Sequence, residues 1–277
     1  PQLTQKPSFS ADSVVDRQHC LADGNTVAFC DANPKPSFQV NGLVISNPAL
    51  DSEKSKQFAI GGVWDVTPNL SLEATYWNTK IDGVISDITA QEIVNRNNGL
   101  SPLPIPPGLS ITRDASGFIT SVVRGSTNEG TLKVNGIDLS ATVQHKAMGL
   151  GAFRHTLRAS HVDSYKTNDI ETMGTFGEPK NRITLNNSFT RGPFTFTWNV
   201  NMISKHGDDD VGFVGSYTTH DLQVGFETPI KGVKVIAGAV NAGGKLPQLV
   251  TETTKPFSYE LYDAYGKQLY GRIEVKF

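Results

Sequence analysis

The sequence has no long apolar run, almost no net charge and only two cysteines. No stretch approaches the roughly 18 consecutive apolar residues of a membrane-spanning helix, and the mean hydropathy is -0.27. The formal net charge of -2 offers no basic surface for nucleic acid. These absences exclude a helical membrane protein and argue against a nucleic-acid partner. They leave a transmembrane β-barrel open, because only every second residue of its strands faces lipid.

A recognisable signal peptide is also missing. The chain begins at Pro1, and no positively charged and apolar leader precedes the patterned region. We therefore expect an exported protein with this sequence to be a processed chain or a fragment of a longer one.

The sequence does contain strict alternation of apolar and polar residues. The alternation is clearest at the end of the chain, where Leu269, Gly271, Ile273, Val275 and Phe277 alternate with polar side chains. Period two indicates a β-strand with one apolar and one polar face. In a transmembrane barrel the apolar face contacts lipid and every backbone group pairs with a neighbouring strand. We expect this strand to close an outer-membrane barrel at Phe277.

Alternation of this kind predicts nine strands between residue 54 and the end of the chain. They cover residues 54–66, 70–82, 131–146, 152–165, 181–190, 194–204, 217–228, 233–241 and 267–277. Short turns at 67–69, 147–151, 191–193 and 229–232 alternate with longer loops at 83–130, 166–177, 205–216 and 242–265. Outer-membrane barrels alternate short periplasmic turns with long extracellular loops. We therefore predict an all-β, antiparallel transmembrane barrel over 54–277, with an odd strand count that makes it part of a larger barrel.

The first 53 residues contain several prolines and little sustained alternation. We predict that residues 1–53 form a long, irregular extracellular loop that holds Cys20 and Cys30. Two cysteines around a short polar segment in an exported chain predict a disulfide, whereas two free thiols are the alternative in a reducing compartment. Further along, apolar spacing predicts a short helix over 85–97 and a small hairpin over 111–123.

Five motifs between residue 47 and the end of the chain resemble those of TonB-dependent outer-membrane receptors. Residues 47–55 fit the pattern Asn-Pro-x-Leu-x-x-Glu-x-Ser, and residues 76–85 end in Ile-Asp-x-x-Ile. Residues 133–139 resemble the Gly-Ile-Asp strand opening of that family, 237–241 its penultimate strand and 265–277 its last strand. Each motif is weak alone, but all five occur in the order of the family.

The resemblance implies the carboxyl-terminal part of a barrel of about 22 strands, plugged by an amino-terminal domain. It implies a receptor in the outer membrane of a Gram-negative bacterium. Such a receptor imports a scarce ligand, such as an iron-siderophore, cobalamin or an oligosaccharide, with energy from the TonB complex through parts upstream of this chain. It also implies that the barrel-assembly machinery recognises the terminal strand with Ile273, Val275 and Phe277. No cofactor is expected.

Arg154, Arg158 and Arg182 are the candidates for a ligand path. All three fall on the polar, lumen-facing side of adjacent predicted strands. Guanidinium groups in the lumen would line the path of an anionic ligand. The alternative is that they pair with acidic residues of the lumen or the plug.

Asp208, Asp209 and Asp210 in the loop 205–216 are candidates for extracellular contacts with calcium or a cationic ligand. They lack the spaced oxygen ligands of a dedicated calcium loop, so a solvated turn is the alternative. The histidines are scattered, and no metal site or catalytic constellation is predicted.

Two other classes of protein stay open at this stage. One is a smaller porin-like or adhesin-like barrel without a plug, and the other is a secreted β-sandwich that binds a ligand. Phe194, Phe196 and Trp198 distinguish the sandwich from a barrel, because a sandwich buries these side chains and a barrel exposes them.

Overall fold

The computed structural model describes residues 6–32, 35–147, 149–210, 212–250 and 256–276. Phe277, which the sequence predicts as the barrel terminus, and Pro1 lie outside the described residues. The chain divides into two compact units. The first holds Pro1–Lys56 and Ile81–Leu132, and the second holds Gln57–Lys80 and Lys133–Phe277.

Strands dominate both units. In chain order they are β1 Ser8–Val15, β2 Ser37–Val44, β3 Lys54–Thr67, β4 Leu70–Asp87, β5 Ser110–Arg113, β6 Ile119–Arg124, β7 Ser126–Ala147, β8 Gly151–Thr167, β9 Ile170–Glu171, β10 Asn181–Arg191, β11 Phe194–Ile203, β12 His206–Asp208, β13 Gly212–Val214, β14 Tyr217–Glu227, β15 Val233–Val240 and β16 Gln268–Val275. The helices are α1 Arg17–Ala22, α2 Val27–Asp31 and α3 Ala90–Asn97. Within the described part of the chain, no helix has the length and apolarity needed to cross a membrane.

The first unit contains a four-stranded sheet in the order β1-β2-β6-β5. β1 and β2 form strands where the sequence pattern predicted irregular structure. β2 is antiparallel to β1 but parallel to β6, with Gly42 opposite Val122. β6 lies far along the chain from β2, so local alternation gives no sign that the two strands pair. The predicted hairpin over 111–123 is present as β5 and β6.

α3 covers this sheet and begins later than predicted. β4 continues to Asp87, and the side chain of Thr89 caps the helix by accepting a hydrogen bond from the Glu92 amide. Ile93 and Val94 are fully buried in a cluster with Val14 and other aliphatic side chains. Burial of this helix face gives the unit its own hydrophobic core.

Cys20 and Cys30 form the predicted disulfide. It links α1 to α2 across a sequence separation of 10 residues, and both side chains are buried. Asp16, at the start of α1, is buried and accepts two hydrogen bonds from Arg113 as well as one from Asn98. Burial opposes ionisation, but these hydrogen bonds and that of the His19 amide outweigh it and hold the pKa of Asp16 below its usual range.

The main sheet has ten strands in the order β16-β15-β14-β11-β10-β8-β7-β4-β3, with the short β9 paired to β8. Every register resolved between neighbours is antiparallel, for example Arg182 opposite Ser160 and Leu222 opposite Ala239. Each of the long strands overlaps a predicted one. Within the described residues, β3 and β16 form the two edges of the sheet.

One face of the main sheet is apolar and exposed. Phe194, Phe196 and Trp198 on β11 are 54%, 42% and 39% exposed. A β-sandwich would bury this face against a second sheet, so the exposure contradicts the sandwich alternative. The opposite face carries the polar side chains and contains the candidate site.

Candidate functional site

The polar face of the main sheet is built by period-two alternation on neighbouring strands, among them β8, β10 and β11. On β8 and β10, Arg158 stands opposite Thr184 and Ser160 opposite Arg182. The row continues onto β11, where Asn201 stands opposite Thr184. Because opposed residues in a sheet point to the same face, these polar side chains lie side by side.

Arg158 and Arg182 line one cavity of about 360 Å³ on this face. They are diagonal neighbours across the β8–β10 pair, which places their Cα atoms roughly 7–8 Å apart. Glu73 and Asp138 also line the cavity. Nevertheless, in the part of the chain that the structure describes, neither guanidinium lies within 4.0 Å of a carboxylate oxygen. Asp138 instead accepts a hydrogen bond from the Ser160 hydroxyl at 2.6 Å.

Arg154 lies on the same polar face but apart from the other two arginines. It stands opposite Ser188, four residues before Arg158 on β8. Four residues of strand span roughly 13 Å. Of the three predicted arginines, the structure therefore brings Arg158 and Arg182 together and leaves Arg154 outside their cavity.

A second cavity, of about 210 Å³, lies beside the first. Its polar lining includes Asn201, Asp221, Asn241, Asp263 and Gln268. Asp221 accepts hydrogen bonds from the Asn201 amide group at 2.9 Å and from the Asn241 backbone at 2.8 Å. The wall of this cavity is thus fixed by internal hydrogen bonds, while the carboxylate oxygens keep further acceptor capacity.

The loops that hold Gly177, His206 and Tyr262 meet at the end of the main sheet and form the loop cluster. The side chain of His206 is 2% exposed. Its Nδ1 accepts a hydrogen bond from the Gly177 amide at 3.1 Å, which leaves the proton on Nε2 to be donated to the Tyr262 hydroxyl at 2.7 Å. Val214 and Tyr217 complete the buried core of this cluster. Burial lowers the pKa of His206.

Tyr262 of the loop cluster has a raised pKa. Burial is the main cause of a raised pKa at Tyr262, and neighbouring Tyr217 adds to it. The positive charge of Arg182 acts in the opposite direction. Leu261 and Asp263, which flank Tyr262 in sequence, line the second cavity. The cluster therefore helps to shape the wall of that cavity.

Asp208, Asp209 and Asp210 lie at the hairpin of β12 and β13. Asp208 stands opposite Gly212 in the register, and Asp209 and Asp210 form the exposed turn. Among the described residues, no group of three or more His, Cys, Asp or Glu side chains is arranged to hold a metal ion.

An aromatic band lies on the apolar face near the short turns. The Phe153 ring stacks on His145 at 4.8 Å and on Phe189 at 4.6 Å between ring centroids. Phe194 contacts Phe226 at 5.0 Å. In transmembrane barrels, such bands mark the boundary between lipid and water. On β16, Ile273 and Val275 are exposed on the same apolar face.

Sequence reasoning placed the arginines on one face but missed the second cavity and the loop cluster. The second cavity joins Asp221 of a strand to Asp263 of a distant loop. His206 was only one of six scattered histidines. The one available signal was the aromatic content of the loops, in particular Phe176 and Tyr262, which pack beside His206.

Residues 9–242 match the family model described as TonB dependent receptor-like, beta-barrel. Among solved structures, the chain is similar to the outer membrane transporter YddB from Escherichia coli, at 14% identity and a TM-score of 0.60 over 87% of this chain and 35% of that chain. It is also similar to the siderophore receptor PirA from Acinetobacter baumannii, at 13% identity and a TM-score of 0.61 over 86% of this chain and 34% of that one.

A mutant of the ferric enterobactin receptor PfeA from Pseudomonas aeruginosa is 14% identical, with a TM-score of 0.60 over 86% of this chain and 33% of that chain. At such low identity the likeness shows the fold alone. The chain spans about a third of the length of each of these structures. No curated protein matches it.

Proposed function

This chain belongs to the TonB-dependent receptor family through its β-barrel domain, and on that premise we propose that it binds and imports a scarce small-molecule ligand. Members of the family are receptors of the Gram-negative outer membrane. The observation that carries the proposal is the family match over residues 9–242. A main sheet with an exposed apolar face and a polar face supports it.

In this proposal the apolar face contacts lipid and the polar face lines the lumen of a barrel of about 22 strands. Arg154, Arg158 and Arg182 line the path of an anionic ligand. The support is the absence of carboxylate partners for their guanidinium groups among the described residues. An unpaired guanidinium recognises a carboxylate or phosphate by paired hydrogen bonds.

We further propose that residues 1–53 and the longer loops face the outside of the cell and contribute to ligand recognition. Asp208, Asp209 and Asp210 are loop contacts in this proposal. TonB supplies the energy, as in the rest of the family. The barrel-assembly machinery recognises the last strand through Ile273, Val275 and Phe277, and the exposed apolar side chains of Ile273 and Val275 support this role.

Uptake by intact cells tests the proposal. Cells that carry or lack the complete gene are given labelled iron-siderophores, cobalamin and oligosaccharides, each with and without a functional TonB complex. We expect uptake of one ligand class to require both the gene and TonB. Uptake that needs the gene but not TonB, and that follows the concentration gradient, would instead establish the porin-like alternative.

A further inference from the structure

The two cavities on the polar face adjoin each other and differ in chemistry. Thr184 lines the first cavity and Asn201, its partner across the β10–β11 pair, lines the second. Arg182 and Ile203 form a second such pair across the same boundary. Opposed residues of an antiparallel pair lie within roughly 5.5 Å, so one small molecule is long enough to reach both cavities.

The second cavity is the smaller of the two. Its volume of about 210 Å³ lies below the roughly 300–1,000 Å³ of sites for drug-sized ligands, and the arginine cavity, at about 360 Å³, lies at the lower end of that range. Together the two cavities offer one ligand more room than either offers alone.

The lining of the second cavity suits hydroxyl groups on a carbon chain. Asp221 and Asp263 accept hydrogen bonds and do not donate them, and the amides of Asn201 and Gln268 do both. Apolar side chains, including that of Leu261, line the rest and suit C–H groups. The described lining of the second cavity has two carboxylates and no cationic side chain, whereas the arginine cavity has two of each. The acidic group of a ligand is therefore favoured at the arginines.

The arginine cavity suits the acidic group. Arg158 and Arg182 are like charges at diagonal positions of the sheet, which repel each other. A carboxylate between them would relieve that repulsion and accept charge-assisted hydrogen bonds from both. The carboxylates of Glu73 and Asp138 line the same cavity without reaching ion-pair distance in the described structure.

We propose that the two cavities form one site for a polyhydroxylated acid, with its acid group at Arg158 and Arg182 and its hydroxyl groups at Asp221 and Asp263. This inference rests on the proposed function and gives the imported ligand a chemical class. It accounts for both linings with one molecule, which neither a simple anion nor a neutral polyol does.

Binding of three probes to the complete purified receptor tests the inference. The probes are gluconate, its neutral counterpart sorbitol, and acetate, which has the acid group without hydroxyls. We expect gluconate to bind at least about tenfold more tightly than either of the others, because a hydrogen bond to a charged group contributes a factor of ten or more. Equal binding of gluconate and sorbitol, or binding of none of the three, would overturn the inference.

Variants assign the selectivity to the two cavities. Arg182→Gln removes the preference for gluconate over sorbitol, while Asp263→Asn weakens both. Arg272→Gln is the matched control, since it removes a guanidinium from the polar face of β16 outside both cavities and leaves all three affinities unchanged. Loss of the gluconate preference in Arg272→Gln equal to that in Arg182→Gln would refute the placement.

The outcome is separable from that of the proposed function. TonB-dependent uptake of some ligand together with no gluconate preference leaves the transporter proposal standing and removes this inference. A gluconate preference without any TonB-dependent uptake supports the site formed by the two cavities and overturns the transporter proposal.

Discussion

His206→Phe should loosen the three loops at the end of the main sheet. The substitution keeps an aromatic ring beside Tyr262 but removes both ring nitrogens. The Gly177 amide then loses its acceptor, and the Tyr262 hydroxyl loses a donor at 2.7 Å. Each buried group left without a partner costs about 1–3 kcal/mol. Because the Gly177 amide is only partly buried, we expect the two groups together to lower local stability by about 2–4 kcal/mol.

Hydrogen exchange followed by mass spectrometry measures this loss. If the loops open locally, about 2–4 kcal/mol corresponds to a rise in exchange rate of roughly 30-fold to several hundred-fold in the loop peptides. Strands β10 and β11 should keep their protection. His220→Phe is the control, because His220 contacts Trp198 on the sheet and is not part of the loop cluster. Unchanged loop exchange in His206→Phe would refute the role given to this histidine.

The same histidine makes the loops sensitive to acid. Burial lowers the pKa of His206 in the closed loops, so the neutral imidazole is the stable form there. The resulting stability is complete above the ordinary value of about 6.5 and is lost as pH falls through the lower folded value. Protonation of Nδ1 also removes the acceptor of the Gly177 amide. Loop protection factors should therefore fall below about pH 6.5 in the wild type and not in His206→Phe.

Three further predictions concern the rest of the chain. Replacing Cys20 and Cys30 by serine should destabilise the first unit by about 3 kcal/mol, because the disulfide closes a loop with a sequence separation of 10 and so reduces the entropy of the unfolded chain. The first unit should then be cleaved faster by proteases. Equal cleavage with and without the disulfide would contradict this. Asp16→Asn should cost about 3–5 kcal/mol because it leaves a partly buried Arg113 unpaired. Since the pKa of Asp16 is lowered, its contribution is present above about 3.9 and is lost as pH falls through the folded value, as exchange at pH 5 and pH 3 would show. Gly238→Ala should lower the melting temperature, because the added Cβ would lie 2.5 Å from the Tyr270 ring; an unchanged melting temperature would show that the ring moves aside freely.

The strands of the main sheet were predictable because their signal is local. β10 was predicted over 181–190 and spans Asn181–Arg191. The two faces of each strand have different surroundings, so apolar and polar residues alternate in the strand's own sequence. The same parity predicts that Arg158 and Arg182 lie on one face.

The features that the sequence pattern did not predict depend mostly on residues that are distant along the chain. β2 was missed because its alternation, with Phe38 and Val40 against Gln39 and Asn41, is short, and because one of its partners is the distant parallel strand β6. α3 starts at Ala90 and not at residue 85, because the cap at Thr89 outweighs apolar spacing. His206 is buried only because three loops converge on it, which no local pattern records.

The central claim is that the apolar face of the main sheet contacts lipid and the polar face contacts water. The accessibility of spin labels along β11 to relaxation agents tests this claim. Single cysteines carrying spin labels are placed along this strand of the complete receptor in a bilayer, one at a time. Labels at Phe196, Trp198 and Val200 should be accessible to oxygen dissolved in lipid, and labels at Thr197 and Asn199 to a water-soluble relaxation agent. Accessibility without this period of two, or with the two faces exchanged, would contradict the account.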